Sequence, residues 1–169
     1  GAVLDMKLGT WKKTAESPLA GREAPVVAAV GSKVLVWGGI AGEAAADGAV
    51  YDVENDTWEK MPEAPIKGRW YAGSAVLGSR VYIMLGWPVE IATQAACFDL
   101  ATRRWLQLPD APIQARCNPG IAVQRGKIVV WGGFRPQPTD AAAFDPVTGK
   151  WRKIEEIPFV GGDWVLFYR

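Results

Sequence analysis

Residues 34–39 read VLVWGG, and this apolar run with its closing glycines decides the fold because the chain repeats it twice. The pattern returns as VYIMLG at residues 81–86 and as IVVWGG at residues 128–133, so the period is 47 residues. Tryptophans keep nearly the same period, at Trp11, Trp58, Trp105 and Trp151. A period in the forties that consists of short apolar runs and turns is typical of β-propellers.

Each repeat carries four strand signals, labelled a to d from the propeller centre outwards. Strands a and b flank a two-residue turn with a glycine, at residues 31–32, 78–79 and 125–126, and such hairpin turns need the positive φ that glycine adopts. An aromatic residue with aspartate marks strand c, and a tryptophan marks strand d. Large aromatic rings in these outer strands suit the wide rim of a blade. The repeat therefore predicts an all-β propeller with four-stranded blades.

Two glycines after strand b, an aromatic residue before aspartate in strand c and a tryptophan in strand d form a recurring motif. Two repeats carry all of it, the first at Gly38, Gly39, Tyr51, Asp52 and Trp58, and the other at Gly132, Gly133, Phe144, Asp145 and Trp151. The middle repeat departs from the motif because Leu85 replaces its first glycine. In this motif the chain resembles the kelch-repeat family, of the bacterial type. The resemblance implies a β-propeller, a fold that hosts both enzymes and binding modules.

The register of the repeats predicts a single kelch-repeat domain over residues 1–169, made of three full blades with partial blades at both ends. We expect strands c and d of a partial blade at residues 1–18, full blades at 19–65, 66–112 and 113–158, and the start of another blade at 159–169. Kelch propellers usually carry more blades than this, so the resemblance implies an incomplete propeller or an arc of a larger ring. An open arc would expose the apolar flanks of its terminal blades, which predicts self-association.

The composition removes several classes of function. The chain has 19 Lys and Arg residues against 18 Asp and Glu residues and no run of like charges, so we predict neither a nucleic-acid nor a membrane partner. It has no histidine, which excludes a Ser-His-Asp triad and the copper site of kelch-type oxidases. It shows no zinc spacing and no phosphate-binding glycine loop. We therefore expect no catalytic residue, metal or cofactor, and the composition assigns no cellular compartment.

Three arginines, Arg22, Arg69 and Arg116, lie 47 residues apart, each just before a strand a. This position predicts a ring at one mouth of the propeller channel, where converging guanidinium groups would hold a carboxylate or a phosphate. The kelch resemblance implies the same role, because arginines near this position contact acidic peptides in some members. The alternative is structural: each arginine would tie the connection between blades to an acidic side chain or a carbonyl group. A residue present in every repeat usually serves packing, and both interpretations stay open here.

Residues that the repeat does not require are the better candidates for ligand contact. Trp70 and Tyr71 offer stacking surface beside the cation of Arg69. The loops between strands b and c should lie on the same face and contribute aromatic and charged side chains. The predicted ligand-binding residues are Arg22, Arg69, Trp70, Tyr71, Trp87, Glu90, Arg116, Asn118, Phe134 and Arg135. For Trp87, packing over the altered turn at residues 85–86 is an equal alternative.

The pattern favours a non-catalytic recognition module that binds a protein segment or a carbohydrate at the face formed by these loops. Two alternatives stay open. The kelch resemblance implies that an epimerase of the sialic-acid mutarotase type would use carboxylates such as Glu23 and Glu90 with Arg22 and Arg69, although the long inserted loops of such enzymes are missing. The other alternative is a purely structural arc whose partners are other blades. We lean against an enzyme because no residue requires that assignment.

Overall fold

The computed structural model describes residues 1–134 and 138–154, and in these ranges the chain forms 16 β-strands. The strands are β1 (Ala2–Asp5), β2 (Thr10–Lys13), β3 (Val26–Val30), β4 (Lys33–Trp37), β5 (Ile40–Ala41), β6 (Glu43–Ala44), β7 (Gly48–Asp52), β8 (Thr57–Lys60), β9 (Gly73–Leu77), β10 (Arg80–Met84), β11 (Ala95–Asp99), β12 (Arg104–Leu108), β13 (Gly120–Gln124), β14 (Lys127–Trp131), β15 (Ala141–Asp145) and β16 (Lys150–Ile154). The described residues also include the 3₁₀ turn Val89–Ile91, and none of their helical segments is long and apolar enough to cross a membrane.

Three antiparallel four-stranded sheets form the body of the molecule. Their strand orders are β3-β4-β7-β8, β9-β10-β11-β12 and β13-β14-β15-β16, so each sheet follows the chain from its first strand to its last. Strand β9 contacts both β3 and β13, which places the first strand of every sheet at a common centre. The sheets are blades of a propeller, named blade 1, blade 2 and blade 3 in chain order. The predicted fold class is confirmed.

A two-stranded sheet of β1 and β2 precedes blade 1 and corresponds to strands c and d of a partial blade. Leu4 pairs with Trp11 across it, at the places that Tyr51 and Trp58 hold in blade 1. The Trp11 side chain is 70% exposed, whereas Trp58 is half-buried. The predicted start of a further blade at residues 159–169 lies outside the described residues, and the predicted domain boundaries stay predictions.

The local sequence explains the inner hairpin of each blade. Gly31 has a φ of 58° and Gly78 a φ of 59° in the turns between the first two strands of blades 1 and 2, a conformation that glycine adopts without steric cost. The second strands, β4, β10 and β14, are rich in valine and isoleucine and lie inside a blade, each between two hydrogen-bonded strands. In β10, four successive residues are buried, from Val81 to Met84.

Large apolar side chains hold neighbouring blades together. Leu35 of blade 1 shares a buried cluster with Ile83 and Phe98 of blade 2. Tyr82 of blade 2 packs on Phe144 of blade 3, with ring centroids 6.1 Å apart. Burying a side chain of this size contributes roughly 1.5–3 kcal/mol. The core of the molecule is therefore a series of layers between blades.

The repeated tryptophans add a hydrogen bond across each of these layers. The indole Nε1 groups donate to carbonyl oxygens of the preceding blade or partial blade: Trp58 to Ala15 (3.2 Å), Trp105 to Pro62 (2.9 Å) and Trp151 to Pro109 (2.9 Å). Each ring also packs on the aromatic residue opposite it in the third strand, with centroids 5.0 to 5.1 Å apart. The tryptophan period is thus architectural, because each side chain fixes a blade to the one before it.

Candidate functional site

Two kinds of segment meet at one end of the blades, which we call the loop face. One kind is the blade connection, which leads into the first strand of a blade, and the other is the b–c loop between its second and third strands. Isolated antiparallel bridges join the two in every blade: Glu23 with Ile40, Trp70 with Trp87, and Cys117 with Phe134. In blade 1 the b–c loop also forms the short β5–β6 hairpin, which the sequence did not predict. These bridges place the predicted variable residues beside one another.

A second set of hydrogen bonds runs from blade to blade. The Tyr71 N–H donates to the Ala24 carbonyl at 3.2 Å, and the Asn118 N–H donates to the Tyr71 carbonyl at 2.8 Å. These three residues have φ values of 47°, 50° and 48°, in the left-handed region. Such a φ costs a non-glycine residue roughly 1–2 kcal/mol. Since it recurs in each blade together with the bonds, the conformation belongs to the architecture and directs residues 71 and 118 to solvent.

Arg69 and Arg116 are buried, with only 1% and 0% of their surface exposed. Arg69 donates from Nε to the Lys67 carbonyl (3.1 Å), from Nη1 to the Leu85 and Gln94 carbonyls (3.1 and 3.0 Å) and from Nη2 to Gln94 Oε1 (2.9 Å). Arg116 donates from Nε to the Gln114 carbonyl (2.8 Å), from Nη1 to the Gly132 and Asp140 carbonyls (3.2 and 3.0 Å) and from Nη2 to Asp140 Oδ1. Each guanidinium group therefore braces its own blade connection against its own b–c loop.

Arg22 makes the equivalent brace in blade 1. Its Nη1 lies 2.8 Å from Asp47 Oδ1 and its Nη2 3.2 Å from Asp47 Oδ2, a bidentate pair, and its side chain is 6% exposed. The hydrogen bonds from Arg22 lower the pKa of Asp47 below its usual value. The ion pair of Arg22 and Asp47 is neutral as a whole, so it presents no net charge to a ligand.

The brace of blade 2 differs from the other two in its charge. The position of Asp47 and Asp140 is held there by Gln94, so Arg69 has a neutral partner. Burial lowers the pKa of Arg69 to about 10, and the group is still a cation at neutral pH. The period of 47 and 46 residues from Asp47 to Gln94 to Asp140 was the signal that could have found these partners in the sequence.

These contacts bear on the two interpretations that the sequence left open for the arginine ring. A ligand at the channel mouth does not reach the guanidinium groups of Arg69 and Arg116, because both are buried and bonded to the chain itself. Arg22 is almost as well covered and is paired with Asp47. Their geometry matches the structural alternative, in which the arginine ties a blade connection to carbonyl and acidic groups.

Aromatic rings occupy the loop face of blades 2 and 3. Trp70 and Trp87 lie with ring centroids 6.3 Å apart, and Tyr71 and Phe134 with centroids 6.2 Å apart. The second pair joins two blades and stays accessible, since Tyr71 is 46% and Phe134 38% exposed. We call these four residues the aromatic cluster. Trp87 is thus paired through its backbone and its ring with Trp70.

The remaining predicted residues that the structure describes lie on the same blade connections and b–c loops. Asn118 is exposed beside Tyr71, to which its N–H is bonded. Glu90 is exposed on the 3₁₀ turn of the b–c loop of blade 2. Glu23 is exposed on the blade connection of blade 1. Arg135 lies outside the described residues, so its place at the site stays a prediction.

Comparison with known proteins identifies the architecture. A family model described as the KLHDC2/KLHL20/DRC7 kelch-repeats domain matches residues 2–160. The chain belongs to the kelch-repeat family. This kelch chain is also similar to a solved structure titled Structure of YjhT, with a TM-score of 0.68 and 14% sequence identity, a level at which the likeness shows the fold alone. The alignment covers 88% of the kelch chain and 56% of that protein, and no curated protein matches the sequence.

The kelch repeat accounts for the braces but not for the aromatic cluster. Kelch domains generally mediate protein interactions, and the propeller of this chain supports that general role. The arginines recur in each of the three kelch blades, whereas the residues at the two positions after them change from blade to blade. Chemically, the aromatic cluster offers apolar stacking surface with polar groups at its edge. It offers no nucleophile or paired acid and base among the described residues.

Proposed function

We propose that this kelch chain is a non-catalytic recognition module that binds a protein segment on the aromatic cluster of its loop face. The observation that carries the proposal is the Tyr71–Phe134 pair, whose rings are 46% and 38% exposed although they pack on each other across two blades. Aromatic residues that stay accessible on a rigid scaffold are frequent anchors of protein interfaces. The equivalent side chain in blade 1, Ala24, is too small for such a role.

The arginines take a supporting role in this proposal. Arg69 and Arg116 hold the b–c loops against the blade connections, and the loops carry Trp87 and Phe134. Asn118 and Glu90 supply polar groups at the edge of the cluster, and Arg135 stays a proposed contact. The epimerase alternative finds less support, because it needs an accessible arginine for a substrate carboxylate and Arg69 is buried.

Selection of a random-peptide library on the immobilised chain tests the proposal. We expect peptides that bind the wild type and lose roughly tenfold or more in affinity for the double variant Tyr71→Ala, Phe134→Ala, because two truncated anchors together cost more than about 1.4 kcal/mol. A matched control removes two exposed apolar side chains elsewhere, Leu106→Ala with Val147→Ala. Equal binding by all three proteins would place recognition away from the aromatic cluster.

A carbohydrate is the alternative ligand, since sugar rings also stack on exposed aromatic side chains. The same three proteins on a glycan array separate the two ligand classes. If the peptide selection yields no binder and the wild type binds glycans that the aromatic double variant does not bind, the ligand is a carbohydrate and not a protein segment.

Self-association is a second proposal, supported by the uncovered flank of the partial blade. Met6, Leu8 and Trp11 are 83%, 74% and 70% exposed, and the Trp11 position is covered by a neighbouring blade in blades 1 to 3. We expect Trp11 to be buried against a blade of another copy. Light scattering after size exclusion measures this association, and a particle of the 18.3 kDa mass of the single chain at high concentration would contradict it.

A further inference from the structure

Three exposed carboxylates lie on the blade connections and b–c loops that form the loop face. The Ala24 carbonyl accepts the Tyr71 N–H at 3.2 Å. Glu23 directly precedes Ala24 in the sequence, so it is adjacent to a residue that is bonded to the Tyr71 backbone. Glu43 is exposed on β6 in the b–c loop of blade 1, and Glu90 is exposed on the 3₁₀ turn of blade 2. The loop face therefore carries exposed acidic side chains in blades 1 and 2, the two blades joined by the Tyr71–Ala24 bond.

The described cations of the loop face do not balance these carboxylates at its surface. Arg22 and Arg116 are neutralised by Asp47 and Asp140. Arg69 keeps its charge, but its guanidinium group is buried. Among the described residues of the blade connections and b–c loops, Lys67 is the exposed cation. Among the described residues of these segments, a ligand at the surface therefore meets more negative than positive side chains, and Arg135, a cation next to Phe134 in the sequence, lies outside them.

Exposed aromatic faces and carboxylates together favour a cation. A Lys or Arg side chain placed over the face of a tyrosine or tryptophan gains roughly 0.5–1 kcal/mol at an exposed site, and complementary charge directs the correct partner to the interface. We propose that the loop face recognises a basic protein segment, with an Arg or Lys side chain over the ring of Tyr71 and in reach of Glu23. This inference rests on the proposed function, and it reverses the acidic ligand that the arginine ring predicted.

The composition of library peptides selected on the wild-type chain gives the first test. We expect enrichment of Arg and Lys over the starting library. The tightest selected peptide then serves as the probe, beside a version in which each Arg or Lys is replaced by glutamine. We expect the neutral version to bind at least fivefold more weakly, and the affinity of the basic peptide to fall as NaCl is raised.

Single substitutions of the chain give the second test. We expect Glu23→Gln and Tyr71→Ala each to weaken the basic peptide about fivefold, the equivalent of about 1 kcal/mol, whereas Tyr71→Phe keeps the ring and the affinity. Glu54→Gln is the matched control, because Glu54 is an exposed glutamate in the turn between β7 and β8 at the opposite end of blade 1. Circular dichroism of each variant verifies that the fold is retained.

The outcomes separate this inference from the proposed function. Selected peptides that are acidic or uncharged, or basic peptides that Glu23→Gln binds as tightly as the wild type, would overturn the basic ligand and leave recognition at the aromatic cluster intact. Peptides that bind the double variant Tyr71→Ala, Phe134→Ala as tightly as the wild type would overturn both proposals.

Discussion

The braces of blade 2 and blade 3 have the same shape and different charge. In both, a buried arginine donates to the carbonyl two residues before it and to two carbonyls of the b–c loop. In blade 3 each carboxylate oxygen of Asp140 accepts one hydrogen bond. Oδ1 accepts from Arg116, and Oδ2 accepts from the Gln114 N–H at 2.8 Å. In blade 2 the single Gln94 Oε1 accepts from Arg69 at 2.9 Å and from the Lys67 N–H at 3.3 Å.

This difference shows that the propeller needs the hydrogen bonds of the brace more than its ion pair. The chain folds the loop of blade 2 in the same way although its buried cation is hydrogen-bonded to Gln94 and carbonyl groups, and the carboxylate of Asp110 acts on it only through its charge. A buried charge without a partner of opposite sign is costly. Blade 2 is also the blade with Trp70, Tyr71 and Trp87, so the brace without an ion pair lies beside the most aromatic part of the loop face.

Removal of the arginine should give the largest difference between the two blades. We expect Arg116→Met to lower the free energy of unfolding by about 3 kcal/mol, because it leaves carbonyl acceptors without a donor and the partly buried carboxylate of Asp140 without its cation. Arg69→Met should cost only about 2 kcal/mol, since it leaves carbonyl acceptors without donors but removes a buried charge whose hydrogen-bonded side-chain partner, Gln94, is neutral. Urea unfolding followed by tryptophan fluorescence measures both values. Equal losses in the two variants would show that the carboxylate of Asp140 contributes nothing beyond what Gln94 supplies.

The sequence predicts the blades well because their signals are local. The turns at residues 31–32, 78–79 and 125–126 lie between the first two strands of each blade, as the sequence predicts. Trp58 lies in the outermost strand of blade 1, as the motif predicts, and its indole bonds to Ala15 ahead of that blade. Valine-rich strands and glycine turns need no knowledge of the neighbouring blade to be recognised.

The role of the arginines depends on contacts that a local pattern does not contain. Arg69 reaches Gln94, 25 residues away, only because the b–c loop folds back over the blade connection. Leu85 is a similar case: it replaces a glycine at a φ of 59°, and its side chain is fully buried in the core between blades 2 and 3. Burial of a leucine contributes roughly 1.5–3 kcal/mol, which offsets a strain of roughly 1–2 kcal/mol.

Replacing the side chain that pairs with the arginine should change the free energy of unfolding by less than removing the arginine does. The change should have opposite signs in blade 2 and blade 3. We expect Gln94→Asp to raise the free energy of unfolding by about 1 kcal/mol at neutral pH, because it gives Arg69 the charged acceptor that Arg116 has. The reverse exchange, Asp140→Asn, should lower it. Gln107→Glu controls for the added charge, since Gln107 is exposed on β12. A loss of stability in Gln94→Asp would mean that the shorter side chain does not reach the guanidinium group.

The pH dependence of Gln94→Asp separates the charge from the geometry. Pairing with Arg69 should hold the pKa of the new carboxyl below its unfolded value of about 3.9, as Arg22 does for Asp47. A group with a lowered pKa in the folded state adds stability that is complete above the unfolded pKa and disappears as the pH falls through the folded pKa. The gain should therefore be constant from about pH 5 to 7 and vanish in stronger acid, where the variant and the wild type unfold at the same urea concentration. A gain that persists in acid would come from a better hydrogen-bond length, and blades 2 and 3 would then differ in geometry alone.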